Sequence, residues 1–469
     1  MLSRGKEMAR KIINVITMND APPARRIAYS FFIVIFIGAF LLWLPISNQN
    51  NQSLSILDAL FTATSATCVT GLSTVVVMDQ FTRFGQIVLI CLMQIGGIGL
   101  MTLVASFLLV LRTRLSMNDK IAIKELLNQT NIIDFKTFLQ GILKYTFVLE
   151  CLGAVLLMFV FIPEFGVGDG IFNSIFLSIS AFCNAGFDNL SNASLVPYAS
   201  NMLVCIVVMF LITMGGLGFV VWFDVQDKWK LFWKKEIDFR HFITSLTLHT
   251  KLVLITSFLL IIIPSILFFV CEYTNPLTLG SLTFTEKIVN AFFTSITLRT
   301  AGFATLPMPE YHLSSHLLMM ICMFIGGSPG GTAGGIKTTT LAVIIICVIR
   351  SLRGKKRTNI FNRHISRDII VRATTIMSIN LVVLFTGLFI LTISESFSFI
   401  ELAFEAVSAL ATVGLSLGIT PMLSVVGKWI IILLMFVGRI GIMTFIMSFV
   451  KEDNSSDIIH YAEGHVIVG

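Results

Sequence analysis

Long apolar stretches divided by shorter polar ones recur along the whole chain. They cover 27–44, 85–111, 138–162, 202–223, 252–270, 317–349 (interrupted), 370–393 and 425–450. About 20 apolar residues cross the hydrocarbon of a bilayer, so each stretch reads as a spanning helix. Within each successive pair lies a shorter apolar stretch of about a dozen residues, too short to cross, which reads as a re-entrant helix. The predicted fold is an all-α membrane protein of four span–re-entrant–span repeats, with eight transmembrane helices in all.

The four units are in register. Phe61, Phe176, Phe292 and Phe404 each stand ten residues before a glycine: Gly71, Gly186, Gly302 and Gly414. A second glycine signal follows about 25 residues later: Gly96-Gly97-Ile98-Gly99, Gly215-Gly216-Leu217-Gly218, Gly326-Gly327 and Gly438-Arg439-Ile440-Gly441. Four copies of one unit form a ring, and a ring of short loops around a membrane axis builds an ion pore. The expected organisation is an arm at 1–26, repeat 1 at 27–111, repeat 2 at 112–224, repeat 3 at 225–349, repeat 4 at 350–450 and a tail at 451–469. The second glycine set also suits plain helix packing, since glycines let membrane helices approach closely.

Composition agrees with the bilayer: 55% of residues are apolar and only 13% charged, where a soluble chain carries about a quarter charged. Of 33 Lys and Arg, 26 lie in the arm, the tail and the loops 112–137, 225–251 and 350–372. Arg83, Lys287, Arg299 and Lys428 alone fall on the opposite side. The positive-inside rule then sets both termini in the cytoplasm, without a cleavable leader. The net charge of +7 is thus a topological signal, and nucleic-acid binding is not expected because no basic soluble domain exists to carry it. None of the eight cysteines makes a C-x-x-C pair, so inert buried thiols are expected.

The segments before the first glycines carry the expected chemistry: Val69-Thr70-Gly71, Asn184-Ala185-Gly186, Thr300-Ala301-Gly302 and Thr412-Val413-Gly414. The last is the Thr-Val-Gly that opens a potassium-channel filter. Small residues allow an extended strand with its carbonyls on the axis, and glycine accepts backbone angles that others resist. Four such strands would offer rings of oxygens to dehydrated K⁺. Re-entrant helices ending there would aim their negative dipole ends at the ion path. With one glycine per filter, a less selective K⁺/Na⁺ pathway is the alternative.

The third repeat departs from its siblings. Its second span contains Gly326-Gly327-Ser328-Pro329-Gly330-Gly331-Thr332-Ala333-Gly334-Gly335-Ile336-Lys337, which cannot continue a regular helix. Such backbone at membrane depth must line a cavity or be buried in protein, so a gate in the conduction path is expected. The rival reading, a nucleotide P-loop, fails because Ile336 separates Gly335 from Lys337 and no strand precedes the loop. Arg439, mid-membrane in the last span, is expected to hydrogen-bond the loop's carbonyls and hold it closed; an ion pair with a carboxylate is the alternative. Lys337 reads as a second barrier or as snorkelling to the cytoplasm. Arg299 is expected to brace its filter, with Asp188 and Glu405 as candidate partners. The histidines fit ordinary solvated roles, and no enzyme chemistry is expected: no catalytic triad or metal cluster sits in a suitable context.

The fourfold register, the Gly326–Lys337 loop and Arg439 together resemble the Trk/Ktr/HKT superfamily of potassium transporters, over essentially the whole chain. Eight spans and the tail Tyr461–Gly469 are most similar to the Ktr-type membrane subunit. The resemblance implies a homodimer in the bacterial plasma membrane, one pore per subunit. It also implies a cytoplasmic regulatory ring of the RCK/KTN kind that binds a nucleotide such as ATP or ADP. This chain has no dinucleotide fingerprint, so that sensor would be a separate polypeptide. Na⁺ activation, frequent in the superfamily, is implied by the resemblance and by no residue here.

Overall fold

A computed structural model of the chain describes residues 23–49, 54–99, 135–236, 238–355 and 357–448. The arm 1–22, the basic loop 112–134 and the tail 451–469 lie outside the described residues.

The described part is almost wholly helical. Repeat 1 contributes α1 (Pro23–Trp43), α2 (Ile56–Thr67) and α3 (Arg83–Ile98). Repeat 2 contributes α4 (Phe135–Phe165), α5 (Val167–Cys183), α6 (Met202–Gly216) and α7 (Phe219–Trp233). A short α8 (Phe239–Ser245) leads into α9 (Leu248–Glu272), α10 (Phe284–Thr297), α11 (Leu313–Phe324) and α12 (Thr338–Leu352) of repeat 3. Repeat 4 is α13 (Arg367–Ser394), α14 (Phe399–Ala411), α15 (Val425–Ile440) and α16 (Ile442–Met447). The basic segment before α13 folds into a small antiparallel hairpin, Asn359–Ile360 against Arg363–His364.

Length separates two kinds of helix. Within α1, α4, α9 and α13, the first helix of each repeat, lie stretches of 19–28 residues that are long and apolar enough to cross a membrane. The later helices are shorter than the uninterrupted apolar runs suggested. The 16 residues of α3 or α15 rise about 24 Å, short of a hydrocarbon core of about 30 Å. Gly99, Gly218 and Gly441 stop these helices at matching positions, with φ of 88°, 88° and 89°, a left-handed region that only glycine enters freely. At Gly218 the chain turns through 97° between α6 and α7.

Local sequence explains the short helices. Ser55 accepts the Asp58 N–H at 3.1 Å, while Thr283/Glu286 and Ser398/Glu401 form capping boxes at the starts of α10 and α14. Phe61, Phe176 and Phe404 are fully buried behind their loops. In repeat 3 the buried ring is Phe293, one residue on, and Phe292 is half-buried.

The repeats pack cyclically. α3 lies against α5, α6 against α10, α11 against α14, and α15 against α2, which closes the circle from the last repeat to the first. Side chains repeat the theme: Arg83 pairs with Asp169, Asn290 Nδ2 donates to Ala199 O at 2.9 Å, and Lys428 Nζ meets Asp58 at 2.7 Å. At the other end of the bundle Arg25 Nε donates to Ser448 O at 2.9 Å.

The early glycines of the second set are packing points. A Cβ on Gly96, Gly215 or Gly438 would collide with the carbonyl oxygen of Thr67, Phe182 or Leu410, four residues before Gly71, Gly186 and Gly414 respectively. Gly215→Ala should therefore lower stability by about 1–3 kcal/mol, read as a fall in unfolding temperature in detergent. An unchanged midpoint would mean the helices are free to separate.

Candidate functional site

The four short helices α2, α5, α10 and α14 each lead into one of the segments singled out by spacing. At the residue two before each glycine the chain turns left-handed: Val69 (φ 56°), Asn184 (60°), Thr300 (66°) and Thr412 (52°). Three of these are β-branched, for which this conformation is strained by about 1–3 kcal/mol. Nothing in the spacing announced that strain. The glycines follow at φ of 102°, 70°, 80° and 92°.

The glycines then meet one another. A Cβ on Gly71 would stand 2.8 Å from Ala185 O, and one on Gly186 2.8 Å from Ala301 O. On Gly302 it would collide with Val413 O, and on Gly414 with Thr70 O. The order 71, 186, 302, 414 and back to 71 is a closed ring of four backbone segments, each with a carbonyl beside its neighbour's glycine.

Hydrogen bonds hold the segments to their helices. Thr70, Ala185 and Val413 donate N–H to Ser65 O, Ser180 O and Ser408 O, each at 2.8 Å. Ser65 Oγ and Ser408 Oγ accept the N–H of Gly71 and Gly414 at 3.1 Å. In repeat 3 Ala301 donates instead to Thr297 O at 2.9 Å. That acceptor is one residue nearer, the same one-residue shift that buries Phe293. These serines were missed, although a serine six before the glycine in three repeats could have pointed to them.

Beneath the ring lies the glycine-rich segment, which is not helical between Ile325 and Lys337. Its ends are tied by Gly326 N–H to Ile336 O (2.9 Å) and Thr338 N–H to Gly327 O (3.0 Å). Ser328 N–H donates to Gly216 O (3.0 Å) and Thr332 N–H to Gly215 O (3.1 Å). Thr332 Oγ1 donates to Phe182 O at 3.2 Å. Pro329 O lies against Gly218, and Phe219 N–H donates to Gly330 O at 3.0 Å. Gly331 packs on Gly215, and a Cβ on Gly334 would collide with the Thr412 side chain, so the loop lies directly against the segment 412–414. Gly335 is left-handed at φ 64°. Lys337 Nζ donates to Ala333 O at 2.6 Å, folding back into the loop.

Arg439 joins this loop to the first repeat. It donates to the carbonyls of Thr332 and Gly96, and to Gly97 O at 3.2 Å. The last two belong to the final turn of α3, where carbonyls are unpaired and the helix end is negative. A cation needs no carboxylate there.

Other charges differ from expectation. Arg299 donates to Ser257 Oγ on α9 at 3.1 Å, and among the described residues no bond to Asp188 or Glu405 is recorded. Asp188 accepts the N–H groups of Leu190 and Ser191, and Glu405 accepts from Thr420 Oγ1. His316 is buried, not solvated, with Nε2 2.9 Å from Met308 O. Glu150 on α4 was overlooked: it is buried, and Gln94 Nε2 reaches both its oxygens at 3.0 and 3.1 Å. Beside it Cys183 Sγ, one residue before the segment 184–186, lies 3.4 Å from Gln94 Oε1. A lone Glu inside an apolar run was the available signal. Among the described residues no cluster of three His, Cys, Asp or Glu could hold a metal ion.

Comparison with known proteins decides the family. The family TrkH, described as "Cation transport protein", matches residues 14–461. This chain belongs to it. It is 41% identical over 447 residues to the Ktr system potassium uptake protein B of Bacillus subtilis (strain 168), covering 95% of this chain and 97% of that one. It is 40% identical to the potassium/sodium uptake protein NtpJ of Enterococcus hirae, covering 95% and 97%. The crystal structure of the potassium transporter TrkH from Vibrio parahaemolyticus superposes with a TM-score of 0.69 at 18% identity, over 90% of this chain and 84% of that one. Family and apolar helices together make this TrkH-family chain an integral membrane protein.

Two measurements probe the site's supports. Ser408→Ala should cost about 1 kcal/mol through the lost bond to Gly414 N–H, read as a lower unfolding temperature; an unaltered one would mean the hydroxyl bears nothing. Burial opposes the charge of Asp58, but hydrogen bonds from Lys428 and Ser55 outweigh it and hold the carboxyl below its usual range. The resulting stability is present above the ordinary carboxylate pKa and lost as pH falls through the lowered value. Lys428→Met should flatten that acid limb of a stability–pH curve; an identical limb would exclude the pair.

Proposed function

We propose that this protein takes up potassium through a gated, channel-like pore. The closed ring of Gly71, Gly186, Gly302 and Gly414 carries the reading, because each segment sets a backbone carbonyl beside its neighbour's glycine. The oxygens of Thr70, Ala185, Ala301 and Val413, with those of Val69, Asn184, Thr300 and Thr412, would replace the hydration shell of K⁺. The buried hydroxyls of Thr70, Thr300 and Thr412 have no protein partner among the described residues, which suits a path for a cation. The membrane potential would drive uptake at about 2.3 kcal/mol per charge per 100 mV.

In this reading there are eight spans, two per repeat, the second of each repeat being a short helix that ends or turns at its glycines. The basic loops and both termini face the cytoplasm of a bacterial plasma membrane. Residues Gly326–Gly335 and Lys337 form the gate, and Arg439 holds it by Thr332 O while its charge raises a barrier to cations. The names of the relatives, potassium uptake proteins of a Ktr system, support K⁺ as the ion and a multicomponent assembly. A homodimer with a nucleotide-binding regulatory ring, and Na⁺ as activator, complete the proposal. The second reading, a less selective K⁺/Na⁺ pathway, draws on the single glycine per filter and on the name of the Enterococcus hirae relative.

Uptake of K⁺ and Na⁺ in a bacterium without its own potassium uptake systems, with a regulatory partner supplied, tests the filter. Wild type should restore K⁺-selective growth. Gly302→Ser should reduce K⁺/Na⁺ discrimination about tenfold, which about 1.4 kcal/mol lost at the K⁺ site produces; equal discrimination would remove the ring from conduction. Arg439→Ala should raise K⁺ flux into vesicles lacking the partner, and unchanged flux would sink the gate.

A further inference from the structure

Conduction makes no use of the hairpin formed by α7 and α8. Three of the chain's five tryptophans, Trp222, Trp229 and Trp233, lie on α7. We propose that this hairpin is an interfacial anchor, lying in the membrane plane with Trp229, Trp233, Phe239 and Ile243 at the headgroup–acyl boundary of an anionic phospholipid leaflet. The proposal rests on the membrane topology given above.

Direction comes from the turn at Gly218. If α6 runs across the membrane, a helix bent from it by 97° runs nearly parallel to the surface. Depth comes from its neighbours. Asp224 accepts the Thr247 N–H at 3.0 Å and the Thr247 hydroxyl at 2.9 Å, and Thr247 is the N-cap of α9, a helix able to span. The ring of Phe223 meets Phe138, in the first turn of α4, at 5.1 Å, and Trp222 meets Tyr145, two turns further along, at 5.3 Å. The first turns of α7 therefore lie level with the ends of two spans, where hydrocarbon gives way to headgroups.

The exposed face has the chemistry of that boundary. Trp229 and Trp233 are four residues apart on α7, as are Phe239 and Ile243 on α8, so each pair shares one helix face. They are 46%, 72%, 61% and 48% exposed. Trp229 packs on Phe242 at 5.7 Å and Phe232 on Phe239 at 6.4 Å, which fastens the two helices together. The hairpin also carries Lys228, Lys230, Lys234, Lys235 and Arg240 against Asp227, Glu236 and Asp238. Tryptophan favours the interface, and lysine stems reach past apolar surface to anionic headgroups. On α9, which packs against α7, Ile255, Phe258 and Leu259 are also exposed. One consequence concerns the gate: Phe219, the first residue of α7, is bonded to Gly330, so the anchor fixes one attachment of the glycine-rich loop.

Tryptophan emission of the full chain in phosphatidylglycerol vesicles with brominated acyl chains tests this. A variant with Trp43, Trp222 and Trp429 changed to Phe keeps only Trp229 and Trp233. Bromine should remove at least half its emission, and iodide in the buffer little. Quenching by iodide with none by bromine would overturn the anchor and assign the face to a water-borne protein partner. Should that variant not fold, the emission difference between wild type and Trp233→Phe gives the same contrast. A chain retaining only Trp43, on α1, separates the causes: bromine quenching there but not at Trp229 and Trp233 sinks the anchor alone. Quenching at neither sinks the membrane topology as well, and the anchor with it.

Discussion

Everything in this protein depends on backbones approaching more closely than a Cβ allows. Gly71, Gly186, Gly302 and Gly414 stand where side chains would strike the neighbouring segment's carbonyl, and Gly96, Gly215 and Gly438 stand where side chains would strike the ends of α2, α5 and α14. Close packing of this kind needs no hydrophobic drive, which lipid does not supply between helices; it comes from dispersion and from backbone polar groups finding partners. The cyclic order follows, since α3, α6, α11 and α15 present their surfaces to α5, α10, α14 and α2.

The same constraint leaves polar backbone at membrane depth, and the protein satisfies it unevenly. Three repeats return the residue before the glycine to a serine carbonyl of the preceding helix, and two reinforce that with a serine hydroxyl. The third repeat is shifted by one residue and carries the open glycine-rich loop. There the partners come from elsewhere: Gly215, Gly216 and Phe182 of repeat 2, Arg439 of repeat 4. Arg439 serves three carbonyls at once, with one guanidinium shared between the loop and the frayed end of α3. A planar five-donor group suits that task in a way a lysine does not.

Much of this was legible from residues alone. The fourfold register of phenylalanine and glycine located the segments that meet in the ring, because glycine spacing reports where backbone must lie close. The interrupted span of repeat 3 was legible because Gly and Pro cannot hold a helix. Arg439 against loop carbonyls followed from register. Less visible were the breaks at Gly99, Gly218 and Gly441, since apolar runs continue through them and hydropathy does not sense φ. Glu150 and its contact with Gln94 escaped because the two lie on different repeats, and Arg299's bond to Ser257 because either carboxylate was as plausible from sequence.

The sequence by itself determined that the chain is a membrane protein, and which glycine-bearing segments and which arginine the fold brings together. Those are consequences of composition, periodicity and the conformations each residue type permits. Only the tertiary structure decided the left-handed strain at Val69, Thr300 and Thr412, the right-angled turn into α7, the one-residue shift of repeat 3 and the identity of each buried charge's partner. These depend on which backbone groups remain unpaired once the repeats are docked, and that is a property of the assembled ring, not of any one segment.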